Sequence, residues 1–450
     1  MSARPRRRLG HRIRHGAALG LSAAVLLAAC GGGSGGSGDE RADPADGGWV
    51  NRAPDFDGSR GDATKAAPVA GAPGAAASER SLSAEASADD AAVPPDRGAL
   101  RAGSVDDNTD FEGFLTYLER IGTGGVPFRR LDPTGRIVIT VRAAGQRPVP
   151  GAEVSVFDGS AKVVTLRTTS DGTVRFHPRA YGAEAAEYRF EVDGRSATAA
   201  PGASATIDLD RQDSAAAAID LMFVIDATGS MGDEIDRLRA GMQSMAKRIN
   251  ALDSDVDLRL GMVVFRDEGD TFVTATNAFT SDVAAFSSAL DGVTADGGGD
   301  TPEAVDEALA AALDAPGWRP AGDAAQLVVL VGDAAGHADR TVAVPYTDSM
   351  RTAATRGIRV LPIASSNADD AAEVVFRQLA QFTGGRFVFL SYGAGGAALG
   401  GSSDIARTDY EELSLDDLIV RLVAEDLSTR LGRELAESRP ATTTTRPAGQ

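Results

Sequence analysis

The chain has little of what most binding and catalytic chemistries use. A single cysteine, Cys30, among 450 residues leaves no disulfide within the chain and no thiolate zinc site. Only four histidines occur, with no H-E-x-x-H arrangement, which removes the usual zinc hydrolase. Lysine is rarer still: with only Lys65, Lys162 and Lys247, chemistry that pairs a reactive carboxylate with a nearby lysine has few candidates. Positive charge is in deficit, 45 Lys plus Arg against 64 Asp plus Glu, a formal net charge of −19. That balance argues against nucleic acid and against flat adsorption to anionic lipid. Long apolar runs are missing too. The most apolar stretch, residues 16–29, is shorter than a membrane-spanning helix needs.

That stretch follows six arginines and no acid in residues 1–15, the pattern of a secretory signal. Leu27, Ala28, Ala29 and Cys30 resemble the lipobox of bacterial lipoproteins. The resemblance implies that residues 1–29 are a lipoprotein signal peptide and that Cys30 becomes the lipidated first residue. It also implies an extracytoplasmic protein anchored to a bacterial cell membrane or outer membrane. An ordinary signal cleaved after Ala29, or a buried core helix, is the alternative. Removing six arginines leaves 39 basic against 64 acidic side chains, a net charge of −25.

Residues 30–103 are mostly Gly, Ala, Ser, Asp and Pro, too poor in large apolar groups to offset ordering entropy, and read as a disordered tether. Residues 104–132 read as a short helical linker, with Phe111, Phe114, Leu115 and Leu118 at helical spacing, docked on the segment C-terminal to it. Between 133 and 211 the period becomes two, with turn signals such as Asp158-Gly159, Asp171-Gly172 and Asp193-Gly194. This predicts a small antiparallel β-sandwich. "GQRPVPGAEVSVF" followed by "TTSDGTVRFHP" resembles the carboxypeptidase regulatory-like (transthyretin-like) domain, which implies a spacer without catalytic duty.

From 217 to 437 strands alternate with helices. Apolar strands are expected at 219–225, 258–265, 327–331, 358–364 and 386–390, with an antiparallel edge near 271–279. The α/β alternation predicts a doubly wound, mostly parallel, Rossmann-like sheet. A final helix is expected after Ser414, and residues 438–450 read as a disordered tail.

In such sheets ligands collect at the carboxyl ends of the strands, where the strand order reverses. Two strands here end in an acid, "IDLMFVID" at Asp226 and "QLVVLVGD" at Asp333. Thr228 and Ser230 come just after the first, and "GGGDTPEA" supplies Thr301. Carboxylates and hydroxyls are hard oxygen ligands, suited to Mg²⁺, Mn²⁺ or Ca²⁺. Alternatively the hydroxyls serve only to cap the next helix.

Asp226, Thr228 and Ser230 match the D-x-[ST]-x-S signature of the von Willebrand factor type A (VWA) domain. Thr301 and Asp333 are similar to the threonine and second aspartate of its metal-ion-dependent adhesion site. The resemblance implies that these five residues hold a divalent cation, Mg²⁺ first, with Mn²⁺ or Ca²⁺ as alternatives. It leaves Asp300 to assist or replace Thr301. His337, four residues past Asp333, reads as a metal ligand or second-layer contact, a partner contact, or a loop-packing histidine. The expected function is metal-gated binding of a protein partner that presents an acidic side chain, with no nucleic acid and no enzymatic activity. Two other readings are a structural envelope subunit with a vestigial site, and a phosphoryl-transfer enzyme using Asp226. Glu303 and Asp306, with Arg266, Asp267 and Glu268, form either a charged rim to the site or ordinary solvated faces.

Overall fold

A computed structural model describes residues 50–51, 100–210, 215–254, 256–299, 301–365, 368–392, 402–405 and 413–438. Cys30 with residues 1–29, nearly all of the tether, Asp300 and the tail from 439 lie outside the described residues.

Strands β1 (Val50–Asn51) and β2 (Leu100–Val105) come first. Helix α1 (Phe111–Thr123) starts at Asp110, whose side chain accepts from the Gly113 N–H at 3.1 Å, and buries Phe114, Tyr117, Leu118 and Ile121. The period-two segments then become β3 (Ile137–Ala143), β4 (Arg147–Pro148), β5 (Glu153–Asp158) and β6 (Ala161–Arg167). After them come β7 (Thr173–Phe176), β8 (Tyr188–Val192), β9 (Arg195–Ala199) and β10 (Ser204–Asp208). They form two four-stranded sheets, one built around β3 with β10, β4 and β7, the other ordered β6-β5-β8-β9. Ile139, Val141, Val154, Val156, Phe176 and Phe190 fill the space between them. Asp193 and Gly194 both take positive φ, 47° and 75°, which makes the tight β8–β9 hairpin. One pairing departs from the antiparallel expectation. β10 runs parallel to β3, because the chain crosses from β9 in the other sheet before pairing.

The second half supplies β11 (Ala218–Asp226), α2 (Gly232–Asn250), β12 (Asp257–Phe265), β13 (Thr274–Thr280) and α3 (Val283–Asp291). It continues with α4 (Val305–Asp314), β14 (Ala325–Gly332), α5 (Tyr346–Arg356) and β15 (Arg359–Ala364). It closes with α6 (Asp370–Thr383), β16 (Phe387–Tyr392) and α7 (Leu415–Leu431). The sheet order is β1-β13-β12-β11-β14-β15-β16-β2, parallel from β12 to β16 with antiparallel β13 and β2 outside. Every residue of β11 and β14 is buried, as helices on both faces require. Alternation splits β11 cleanly. Ile219, Leu221, Phe223 and Ile225 join the core under α2 and α7, while Met222 and Val224 join that under α1, α4, α5 and α6. The doubly wound fold is as expected, and the antiparallel edge is β13. Among the described residues no helix is long and apolar enough to cross a membrane.

The linker reading needs correcting. β2 pairs with β16 from Leu100↔Tyr392 to Val105↔Phe387, and α1 buries its apolar face in the core of the large sheet rather than on the sandwich. The sandwich is therefore inserted between two pieces of the large-sheet domain. Nor does it hang loosely as a spacer. The His177 ring stacks on Phe382 of α6 with centroids 4.4 Å apart, and Arg351 of α5 donates to the Ala180 carbonyl at 2.9 Å. Arg359 bridges Asp171 of the sandwich at 2.5 Å and Asp426 of α7, while Ser170 donates to Asp426 at 2.5 Å. Burial raises the Asp171 carboxyl, yet the Arg359 and Arg175 guanidiniums hold it well below the usual carboxylate range.

Candidate cation site

Pairing of β11 with β14 in register Ile225↔Val331 carries Asp226 and Asp333 to the same end of adjacent strands. From β11 the chain turns toward β12 and β13 on one side and later returns through β14, β15 and β16 on the other, so this is where the strand order reverses. A crevice of about 640 Å³ opens there, lined by Thr228, Ser230, Thr301, Glu303, Asp333 and Asp369, with Gly229 and Gly297 to Gly299. Four of the five expected residues line it. Asp226 lies fully buried behind Thr228.

The Asp226 Oδ1 accepts from the Thr228 N–H at 2.9 Å and from the Thr228 hydroxyl at 2.7 Å. Its Oδ2 is buried and accepts no hydrogen bond of good geometry, although the Asp333 backbone N–H lies close enough to the carboxyl to favour its charged form. Thr228 Oγ1 and Ser230 Oγ are 3.4 Å apart, and the Ser230 hydroxyl faces the Asp333 carboxyl. The helix-capping alternative fails on this geometry. The short turn Gly229–Met231 and helix α2 both begin without a side-chain cap bond, so neither hydroxyl caps a helix. A Cβ at Gly332 would lie 3.3 Å from both Asp226 Oδ2 and Asp226 Cβ, a tight fit behind the carboxylate.

The loop of glycines closes the crevice from the other side. The Gly229 N–H donates to the Gly297 carbonyl at 3.1 Å, and Asp270 accepts from the Gly298 N–H at 2.9 Å. At Gly298, with φ +88°, an added Cβ would meet Thr228 Cβ at 2.8 Å and Glu303 Oε1 at 2.9 Å. Backbone thus passes between Thr228 and Glu303 with no room for a side chain.

Electrostatics in the crevice are unbalanced. Burial pushes the Asp226 carboxyl up to about 7, and the nearby Asp333 charge adds to the rise. Burial also raises Asp333, offset in part by Ser230. Glu303 is pushed up to about 8 by burial and then by the charges of Asp226, Asp267 and Asp333. Acids that disfavour each other's ionisation, with buried oxygens left unpaired, form a site that added positive charge relieves. The donor set of carboxylates and hydroxyls fits a hard divalent cation. Among the described residues no group of three or more His, Cys, Asp or Glu is placed to hold a metal ion.

Glu303 does not lie on a solvated face, one of the two alternatives its sequence leaves open. It is 4% exposed, and its Oε2 is buried without a partner. Asp306 is buried as well and accepts from the Tyr346 N–H. Arg266 and Asp267 are buried, Arg266 donating to the Thr294 carbonyl at 2.9 Å, and only Glu268 is exposed, paired with Arg340 at 2.9 Å. Burial of Glu303 follows from its backbone bridge to Gly336, which draws the loop under the sheet end. Asp369 is the other lining acid not singled out from the sequence. It is exposed and caps α6 by accepting from the Ala372 N–H at 2.8 Å. His337 is brought near but not in: its Nε2 lies 2.9 Å from Asp267 Oδ1, and it does not line the crevice.

Residues 220–392 match the family model of the von Willebrand factor A domain. The VWA resemblance is thereby borne out for that segment, 100–105 and α7 lying outside the match. Among solved structures, the conserved hypothetical protein BatB from Bacteroides thetaiotaomicron is 14% identical, over 46% of this chain and 98% of that one, with a TM-score of 0.32. The pilus adhesin SpaC from Lactobacillus rhamnosus GG is 13% identical over 44% of this chain and 29% of its own, TM-score 0.29. Proximal thread matrix protein 1 from the mussel byssus, solved with a zinc occupied MIDAS motif, is 21% identical over 38% and 40%, TM-score 0.29. A putative ariadne-like RING finger protein of Acanthamoeba polyphaga mimivirus is 35% identical over 88 residues, 20% of this chain. The chain spans 9% of the length of that relative.

Proposed function

We propose that the VWA domain binds a protein partner through a divalent cation held by Asp226, Thr228, Ser230, Thr301 and Asp333, and that the partner completes the site with an acidic side chain. The observation that carries this reading is the use of the two hydroxyls. Thr228 is spent on Asp226 and Ser230 faces Asp333, neither serves the helix, and Asp226 Oδ2 accepts no hydrogen bond of good geometry. When bound, the cation supplies positive charge and an open coordination position in an otherwise anionic crevice. Asp226 and Asp333 balance its charge, Thr228 fixes the rotamer of Asp226 by a 2.7 Å bond, and the glycine loop keeps the approach free of side chains.

The remaining assignments are part of the same proposal and rest on the sequence. Cys30 carries the lipid anchor, residues 30–103 tether the folded part to a bacterial membrane from outside the cytoplasm, and residues 133–211 are a carboxypeptidase regulatory-like domain. No enzymatic role is assigned, since no lysine or histidine lines the crevice.

Titration calorimetry with Mg²⁺, Mn²⁺ and Ca²⁺ on the full chain and on Asp226→Ala tests the site. Saturable binding by the native chain and none by the variant is expected. Equal heats from both would end the proposal.

A further inference from the structure

Resting on that reading, we infer that the partner's contact segment carries a basic side chain beside its acidic one, and that Glu303 together with Asp369 receives it. The crevice lining contains three acids, Glu303, Asp333 and Asp369, and no Lys, Arg or His. With Asp226 behind Thr228 there are four formal negative charges at the site. A divalent cation balances two. An acidic partner group alone would bring a fifth carboxylate to a crevice that still carries two uncompensated ones, and like charges at this range oppose docking.

Glu303 makes the residual charge specific rather than diffuse. It is 4% exposed, lines the crevice, and its Oε2 has no partner. A buried, unpaired carboxylate oxygen is an acceptor whose desolvation is uncompensated in the free protein, and a guanidinium or ammonium donor from outside would satisfy it. Thr228 is engaged with Asp226 and Ser230 with Asp333, whereas this oxygen of Glu303 has no such engagement within the crevice. Asp369, exposed at the mouth, adds charge on the path in. The recognition unit is thus an acid and a base a few residues apart, the acid for the cation and the base for Glu303.

The probe is a random heptapeptide library displayed on phage, selected on the immobilised full chain in Mg²⁺ and eluted with EDTA. Enrichment of peptides with an Asp or Glu and a Lys or Arg within about three positions is expected. The base preference should fall at least severalfold on Glu303→Gln while the acid preference persists. Should Glu303→Gln melt more than a few degrees below the native chain, Asp369→Asn replaces it, and half or more of the base preference should go. EDTA-eluted peptides with an acid and no base enrichment would overturn this inference and leave the cation reading standing. A base preference undiminished in a folded Glu303→Gln, or in Asp369→Asn where it stands in, would also overturn it. No EDTA-eluted peptides, together with no Mg²⁺ heat in calorimetry, would remove both.

Discussion

Replacing Asp226 by asparagine separates the site's electrostatic burden from its fold. Asp226 is fully buried, its Oδ2 accepts no hydrogen bond of good geometry, and its carboxyl is raised from 3.8 to about 7. A folded value above the unfolded one means that the native state holds the proton more tightly. The penalty is absent below the unfolded value, grows as the pH climbs toward the folded value, and is constant above it. A rise of this size corresponds to roughly 4 kcal/mol at pH 8 and roughly 1–2 kcal/mol at pH 5. Asparagine keeps an oxygen for the Thr228 N–H but puts a buried amide NH₂ in place of Oδ2, a cost of about 1–3 kcal/mol. The variant in EDTA should therefore be more stable than the native chain by about 1–3 kcal/mol at pH 8, or roughly 3–8 °C in Tm, and about equal to it at pH 5. Mg²⁺ at a hundred times its Kd should restore about 2.7 kcal/mol to the native chain and nothing to the variant. Differential scanning calorimetry at both pH values, with EDTA or Mg²⁺, reads all four cells. A variant less stable than the native chain by the same margin at pH 5 and pH 8 would refute the reasoning.

Ser230→Ala should leave stability within about 0.5 kcal/mol, because the exposed hydroxyl caps nothing, yet weaken Mg²⁺ binding by about tenfold or more in calorimetry. Gly298→Ala drives a Cβ toward Thr228 and Glu303 at a positive φ; urea melts should show a loss of about 1–3 kcal/mol, with Mg²⁺ affinity falling in parallel. Arg359→Met leaves the buried Asp426 without its arginine and the half-buried Asp171 with Arg175 alone, and should cost about 3–5 kcal/mol in a urea melt at pH 7. Asp171 has a depressed folded value, so the stability it contributes is present above its unfolded range and lost as the pH falls below about 4; the loss from Arg359→Met should shrink there.

Most of the large sheet was legible because its strands and helices have strong periods. β11 and β14 are continuous apolar runs, and Ile235, Leu238, Met242, Met245 and Ile249 mark one face of α2. The helices left undelimited lack that signal. α5 buries only Tyr346, Ser349, Met350 and Ala353, and α3 is nine residues long with Ala and Ser at most positions. β2, "LRAGSV", has no alternation at all; it is a strand because β16 offers an unpaired edge far along the chain. At the site, Asp226, Thr228, Ser230, Thr301 and Asp333 were readable from strand ends and spacing. Glu303 was not, since the same Glu on an exposed turn would look identical in sequence. Its burial comes from the Gly336 bridge, a contact between distant loops.

The insertion of the sandwich between β2–α1 and β11 has a consequence for the order in which the chain matures. Sandwich strands β3 to β10 meet partners within a short stretch and can close as they emerge. β2 waits for β16, roughly 280 residues later, which at about 5–20 residues per second is some tens of seconds of synthesis. Through that interval Phe114, Tyr117, Leu118 and Ile121 of α1 have no core to enter, because the core residues of α6 and the phenylalanines of β16 are still to come. An early part of the domain is thus among the late ones to be seated, and its apolar face needs protection before the chain is complete.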